Sequence, residues 1–204
     1  ERKAAPREPI SAKLVADLFA SAGATRVVTI DLHAPAIQGF FNIPVDHLTA
    51  LDLISDNIKR KNLPNPVIVS PDAGRATTAE KMANILDAPF AMMIKKRPEH
   101  NESVITHVIG DVAGRTPIII EDLIDTGTTI VNVVESLKER GALDVYICAT
   151  HPVFSGPALQ RLDHPSIKEV IITDSIAIPE GHSDKFNVLS VAPLLSDAIR
   201  IIKD

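Results

Sequence analysis

The stretch Ile118-Ile119-Ile120-Glu121-Asp122-Leu123-Ile124-Asp125-Thr126-Gly127-Thr128-Thr129 decides how this chain is read. A short, wholly apolar run delivers two carboxylates, then a Gly/Thr turn opens directly into a helical pattern. Apolar runs of this length, rich in Ile and Val, suit strands buried on both faces of a parallel sheet. Backbone N–H groups at a helix N-terminus lack intrahelical partners and lie at the positive end of the helix dipole, so they hold phosphate. Gly127 lets the backbone approach such a group closely, and the hydroxyls of Thr126, Thr128 and Thr129 add donors. At the strand end, Glu121 and Asp122 have the chemistry either to accept hydrogen bonds from sugar hydroxyls or to hold a metal.

Further apolar runs occur at Val27 to Ile30, Val67 to Val69, Phe90 to Ile94, Val145 to Ala149 and Val170 to Ile172. Helix-period segments alternate with them. Ser11 is placed to cap a helix whose apolar face is Leu14, Val15, Leu18, Phe19 and Ala22, ended by Gly23. Ile130, Val133, Val134 and Leu137 form a second face that stops at Gly141, and Val191, Leu194, Leu195, Ala198 and Ile202 form a last one. This alternation predicts an α/β fold with helices on both sides of a parallel sheet. Arg97 to Val104 is polar and without periodicity, as expected of a mobile loop.

Composition narrows the function classes. Of 204 residues 45% are hydrophobic and 23% charged, a globular balance rather than a disordered one. The 21 Lys and Arg against 26 Asp and Glu leave a net charge of −5, which gives no general nucleic-acid footprint. Cys148 is the single cysteine, so an internal disulfide is excluded and a reducing compartment is expected. No apolar run approaches the roughly 20 residues that span a bilayer, and no signal-peptide pattern opens the sequence. The reading is a soluble, cytoplasmic protein with neither a membrane nor a nucleic acid as partner.

The Glu121–Thr129 stretch resembles the ribose-5-phosphate motif of the type I phosphoribosyltransferase fold, in which the acidic pair binds ribose hydroxyls and the turn binds the 5-phosphate. Three stretches past other strand ends narrow the resemblance: Asp31 to Asp46, Ser70-Pro71-Asp72-Ala73-Gly74, and Lys95-Lys96-Arg97-Pro98. With Arg2-Lys3 and Arg7-Glu8-Pro9-Ile10 they are similar to the ribose-phosphate pyrophosphokinase family, which makes phosphoribosyl pyrophosphate. The resemblance implies transfer of the diphosphoryl group of ATP to the anomeric hydroxyl of ribose 5-phosphate, with Mg²⁺ as cofactor and a homo-oligomer, a hexamer, as the assembly. It implies Lys95 and Arg97 as the catalytic basic pair, with Arg97, Glu121, Asp122, Asp125, Thr126, Gly127, Thr128 and Thr129 around ribose 5-phosphate. His33 and Asp72 fall to the metal and the ATP phosphates. Neutral imidazole is an unusual Mg²⁺ ligand, so His33 suits a nucleotide phosphate or a metal-bound water. Asp31 reads as a turn acceptor, and His100, His107, His151 and His164 as structural.

The sequence departs from the family's pattern at three places. Asn42 stands where Asp is frequent, Glu121 where Asp is usual, and Arg75 where many members have a second glycine. The chain begins at Glu1, and the resemblance places roughly the first third of the family's chain before it. Residues 1–45 with 190–204 are therefore expected to be a remnant of one phosphoribosyltransferase-like domain, and 46–189 a second, nearly complete one. These 204 residues alone are expected to bind ribose 5-phosphate without turning over ATP. Two other functions share part of the pattern: a nonenzymatic, synthetase-associated regulatory subunit and a phosphoribosyltransferase. The first should damage the loop or the basic pair, which are intact; the second leaves Asp31 to Asp46 and the Lys95 segment unexplained.

Overall fold

The computed structural model describes residues 3, 6–96, 104–180 and 182–203. They fall into two compact units, residues 1–50 with 192–204 and residues 51–191. In the smaller unit, helix α1 (Ser11–Ser21) leads to strand β1 (Val27–Ile30), a 3₁₀ turn (Pro35–Phe40) and β2 (Val45–Leu48), and α6 (Ala192–Lys203) also belongs to it. β1 and β2 pair in parallel as a two-stranded sheet, Val27 opposite Val45 and Ile30 opposite Leu48. That pairing carries the smaller unit to Ala50, past the boundary near residue 45 read from the sequence.

Two expectations for this unit need correction. α1 begins at Ser11 itself, with Ile10 in the capping position and no side-chain cap, so Ser11 does not cap it. The helical periodicity is present, yet the apolar face is not buried: Leu14, Leu18 and Phe19 are each more than half exposed, and only Ala16 is enclosed. β1 likewise is half-buried throughout rather than covered on both faces.

The larger unit holds α2 (Leu51–Lys61), β3 (Pro66–Ser70), α3 (Ala76–Leu86), β4 (Phe90–Lys96), β5 (Val104–Ile109), β6 (Thr116–Ile124), α4 (Thr128–Glu139), β7 (Val145–Pro152), α5 (Ala158–Leu162), β8 (Ile167–Thr173) and β9 (Phe186–Leu189). Its seven strands run β5-β4-β3-β6-β7-β8-β9, every neighbouring pair parallel except β4 with β5. The α/β class and its parallel-dominated sheet are as the alternating pattern predicts. The apolar runs are the middle of the sheet: Val67 to Val69, Ile118 to Ile120, Ile147 to Ala149 and Val170 to Ile172 are all buried. On α4, Ile130, Val133, Val134 and Leu137 pack onto it. That helix ends as its sequence predicts. Gly141 adopts φ +78°, its N–H donates to the Lys138 carbonyl, and the Ala142 N–H donates to that of Leu137, a Schellman closure.

The edge strands are what the apolar runs do not announce. β2 and β9 have four residues each, and β5 adds an antiparallel edge to the expected parallel sheet, which the other six strands of the larger unit form. Val104 opens β5; the rest of the stretch expected to be a mobile loop, residues 97–103, lies outside the described residues. Among the described residues no helix is long and apolar enough to cross a membrane.

Strand order also places the site. From β3 the chain moves outward to β4 on one side, whereas β6 takes the other side of β3 and the chain then proceeds to β7. The carboxyl ends of β3 and β6 therefore flank a topological switch point, where open α/β sheets form their ligand crevice.

Gly110 follows β5 and packs against the start of β4. Its φ is +101°, and an added Cβ would lie 2.7 Å from the Phe90 carbonyl oxygen and 3.0 Å from Ala91. Both obstacles are rigid. Gly110→Ala should destabilise the fold by about 3 kcal/mol, read as a lower urea midpoint; an unchanged midpoint would show that the end of β5 relaxes freely.

Candidate functional site

β6 ends inside the sheet, so its last carboxylates emerge from an apolar floor. Glu121 is half-buried and Asp122 buried. Asp125 and Thr126 follow β6, and Gly127 sits in the capping position of α4 at φ +74° with no side-chain cap. The left-handed conformation is what demands glycine here. A Cβ would find space, its nearest neighbours being the Ala158 carbonyl oxygen and the Arg161 Cβ at 3.6 Å. Strain rather than a clash therefore fixes the residue.

The turn is held from behind. The Ile124 carbonyl accepts from the Phe154 N–H and the Asp125 carbonyl from the Ser155 N–H, both at 3.0 Å, and the Thr126 carbonyl accepts from Arg161 Nη1 at 2.9 Å. In a planar trans peptide the N–H points opposite to the C=O. Tying three successive carbonyls toward the segment 154–161 therefore turns the N–H groups of Asp125, Thr126 and Gly127 the other way, continuous with the first turn of α4. Thr126 and Thr128 hydroxyls lie 3.1 Å apart at the same mouth. This is an anion cradle built from backbone dipoles. Arg161, from the five-residue helix α5, is a residue the sequence reading missed; nothing in an isolated Gln-Arg-Leu marks it, because its partner lies 35 positions away.

Across the switch point stands the turn after β3. Ser70 Oγ donates to the Asp72 carbonyl at 2.6 Å, and Asp72 Oδ1 accepts the Gly74 N–H at 3.0 Å, which caps a 3₁₀ turn over Ala73–Arg75. Gly74 is constrained too, since a Cβ there would meet Asp72 Oδ1 at 3.2 Å. Arg75 leaves this turn toward β6. Its Nη2 is 3.1 Å from Asp122 Oδ2 and its Nε 3.9 Å from Glu121 Oε2. The basic residue that replaces a family glycine thus faces the acidic pair, and the structure brings Asp72, Arg75, Glu121, Asp122 and the Asp125–Thr129 turn to one end of one sheet.

Lys95 lies near the end of β4. The β3–β4 ladder stops at Ser70 opposite Met92, while β4 continues beside β5 alone to Lys96 opposite Val104, with a register shift between Ile94 and Lys95. Irregularities of this kind are over-represented next to active sites. Arg97, its expected partner, lies outside the described residues.

His33 belongs to the smaller unit, in the turn between β1 and the 3₁₀ segment. That turn is anchored from its own unit. Asp31, at φ +41°, accepts the Ala50 N–H at 2.9 Å and so serves as the turn acceptor its sequence suggests. His47 Nε2 accepts the Leu32 N–H at 2.9 Å, and Nδ1 lies 3.1 Å from the Gln38 side-chain amide. His47 is a second residue that sequence reasoning passed over. Elsewhere, His151 Nδ1 lies 2.9 Å from Ser175 Oγ and His164 Nδ1 accepts the Ser166 N–H at 3.2 Å, as structural histidines do.

A β-branched side chain at Gly127 would strain the turn at φ +74° and disturb the N–H groups on either side. Gly127→Val should weaken sugar-phosphate binding about tenfold or more while the fold survives, and calorimetry checks it. Equal affinity would remove the turn from the site.

The comparisons with known proteins agree with this geometry. The chain is 53% identical over 200 residues to ribose-phosphate pyrophosphokinase of Oceanobacillus iheyensis and 52% identical to that of Corynebacterium ammoniagenes. Each alignment takes in 98% of this chain and 63% of the relative, so the chain spans less than two thirds of their length. The crystal structure of phosphoribosylpyrophosphate synthetase from Mycobacterium smegmatis superimposes with a TM-score of 0.89 at 45% identity, covering 98% of this chain and 66% of that one. Residues 70–204, which contain the whole acidic pair and phosphate turn, match the family described as the phosphoribosyl synthetase-associated domain. By sequence over most of its length and by the fold of its sheet, the chain belongs to the phosphoribosyl pyrophosphate synthetase family.

Proposed function

We propose that this chain forms the ribose-5-phosphate site of a ribose-phosphate diphosphokinase, the enzyme that converts ATP and ribose 5-phosphate to AMP and phosphoribosyl pyrophosphate. The observation that carries the reading is the unit Glu121–Thr129, in which an acidic pair for hydroxyls and a backbone cradle for phosphate sit a few residues apart. Ribose 5-phosphate presents those two chemistries at the two ends of one small molecule.

In this reading the anomeric oxygen bonds to the β-phosphorus of ATP. The bond from that phosphorus to the oxygen bridging to the α-phosphate breaks, and AMP leaves with the electron pair. The protein's work is to align the two reactants and to neutralise charge on the transferring group. The turn Asp125–Thr129 fixes the 5-phosphate, Glu121 and Asp122 accept from ribose hydroxyls, and Lys95 with Arg97 supplies positive charge to the phosphoryl oxygens. Arg97 takes its role from the family resemblance alone.

Magnesium fits the donor set. Among the described residues no three or more His, Cys, Asp or Glu side chains form a metal-binding group, but Mg²⁺ is commonly held by one or two carboxylates together with substrate phosphates. Asp72 would provide such a carboxylate; His33 takes its role at nucleotide phosphate from the family resemblance alone. When bound, the ion supplies charge neutralisation on the polyphosphate. The cytoplasm as the setting and a homo-oligomer as the assembly belong to the same reading.

The direct test incubates the whole enzyme with ATP, Mg²⁺ and ribose 5-phosphate and follows AMP and phosphoribosyl pyrophosphate; absence of both products overturns the reading. Within an active enzyme, Lys95→Ala should lower kcat by about a hundredfold or more with little change in the KM for ribose 5-phosphate. A raised KM at constant kcat would make Lys95 a binding residue instead.

A further inference from the structure

We propose that Arg75 is a positioning residue for ribose recognition, the cation that holds Glu121 and Asp122 aimed at the sugar hydroxyls. The proposal rests on the reading of function above and assigns a role to a residue that departs from the family's glycine.

The argument begins with burial. The side chains of Glu121 and Asp122 are only 12% and 6% exposed, and that of Arg75 is 18% exposed. Two adjacent carboxylates withdrawn from water repel each other and lose hydration, and a cation beside them offsets that cost. Arg75 supplies that charge in a fixed planar fork. Nη2 hydrogen-bonds Asp122 Oδ2 at 3.1 Å, while Nε sits at 3.9 Å from Glu121 Oε2, an ion pair beyond hydrogen-bond reach. The Leu123 N–H also donates to Asp122 Oδ1 at 2.9 Å. Asp122 is thus clamped at both oxygens, and Arg75 reaches Glu121 through charge. Each carboxylate oxygen accepts more than one hydrogen bond, so pairing with Arg75 does not exhaust their capacity for hydroxyl donors.

The aim of Arg75 is itself built. Asp72 caps the 3₁₀ turn through the Gly74 N–H, and Ser70 ties the Asp72 carbonyl. The parallel register of Val69 against Ile119 then sets this turn beside the end of β6. The guanidinium has a second effect. The substrate is an anion, and two uncompensated carboxylates beside its binding place would repel it; Arg75 offsets one of those charges.

A salt bridge that merely stabilised the fold would affect all ligands of the site alike. One that orients the acidic pair affects recognition of the hydroxyls. The experiment therefore compares ribose 5-phosphate with 2-deoxyribose 5-phosphate by calorimetry, using the whole enzyme as wild type, R75A and R75K. Wild type should prefer the ribose compound. In R75A that preference should shrink about tenfold, and R75K, which keeps the charge but loses the fork, should fall between the two. An R75A enzyme that retains the wild-type preference overturns the proposal. If R75A fails to fold, R75K decides: a reduced preference at a wild-type melting temperature supports the role, and an unchanged preference overturns it. Wild-type enzyme that binds neither sugar phosphate would sink the functional reading instead, so the two failures are distinguishable.

Discussion

The parallel pairing of β6 with β3 on one side and β7 on the other is the constraint from which the site follows. Parallel strands end on the same side, so the turns after β3 and β6 are neighbours although some fifty positions separate them along the chain. Burial of Ile118, Ile119 and Ile120, each worth about 2 kcal/mol, holds β6 in place. The acidic pair pins its register as well. A slip of one residue toward the core would draw Glu121 among those isoleucines, and an unpaired buried carboxylate is far costlier than a misplaced methylene. Core and site therefore specify the same alignment, the core by what it encloses and the site by what it refuses to enclose.

Electrostatics poses the harder problem. The chain carries a net charge of −5 and places carboxylates at the site proposed for an anionic substrate. Its solution is local. Backbone N–H groups aimed by the carbonyl ties from Phe154, Ser155 and Arg161 form the end proposed for phosphate, and Arg75 faces the acidic pair proposed for the hydroxyls. Dipoles and guanidinium groups held by neighbours act at short range, where net charge over the molecule counts for little. A net charge that gives no general nucleic-acid footprint therefore says nothing against phosphate chemistry.

Much of this was legible in the sequence because the relevant signals are local. Ile118 to Thr129 contains strand, acidic pair, turn glycine and helix start in twelve consecutive positions, and Gly141 marks the helix end by its own conformation. The missing pieces are non-local. Val45-Asp46-His47-Leu48 and Phe186-Asn187-Val188-Leu189 become strands only because a neighbour offers an edge. Arg75 could be seen as a departure but its direction could not, since the carboxylates it meets lie on a different strand. The apolar stripe of α1 shows the opposite limit. Periodicity correctly gave a helix and its face, but a face is not a partner, and Leu14, Leu18 and Phe19 remain largely exposed.

The end of β4 shows how a strand can outrun one of its neighbours in the sheet. At Met92 the strand is paired on both sides; beyond it, only β5 accompanies it, as a two-stranded antiparallel ribbon. Such ribbons twist more strongly than sheet interiors and have little stability of their own. The register shift between Ile94 and Lys95 adds a local bend at the point where support from β3 has ended. Carried past the part of β4 that β3 supports, the backbone of Lys95 remains tied through β4 to the same sheet whose strand β6 leads into the turn at Gly127.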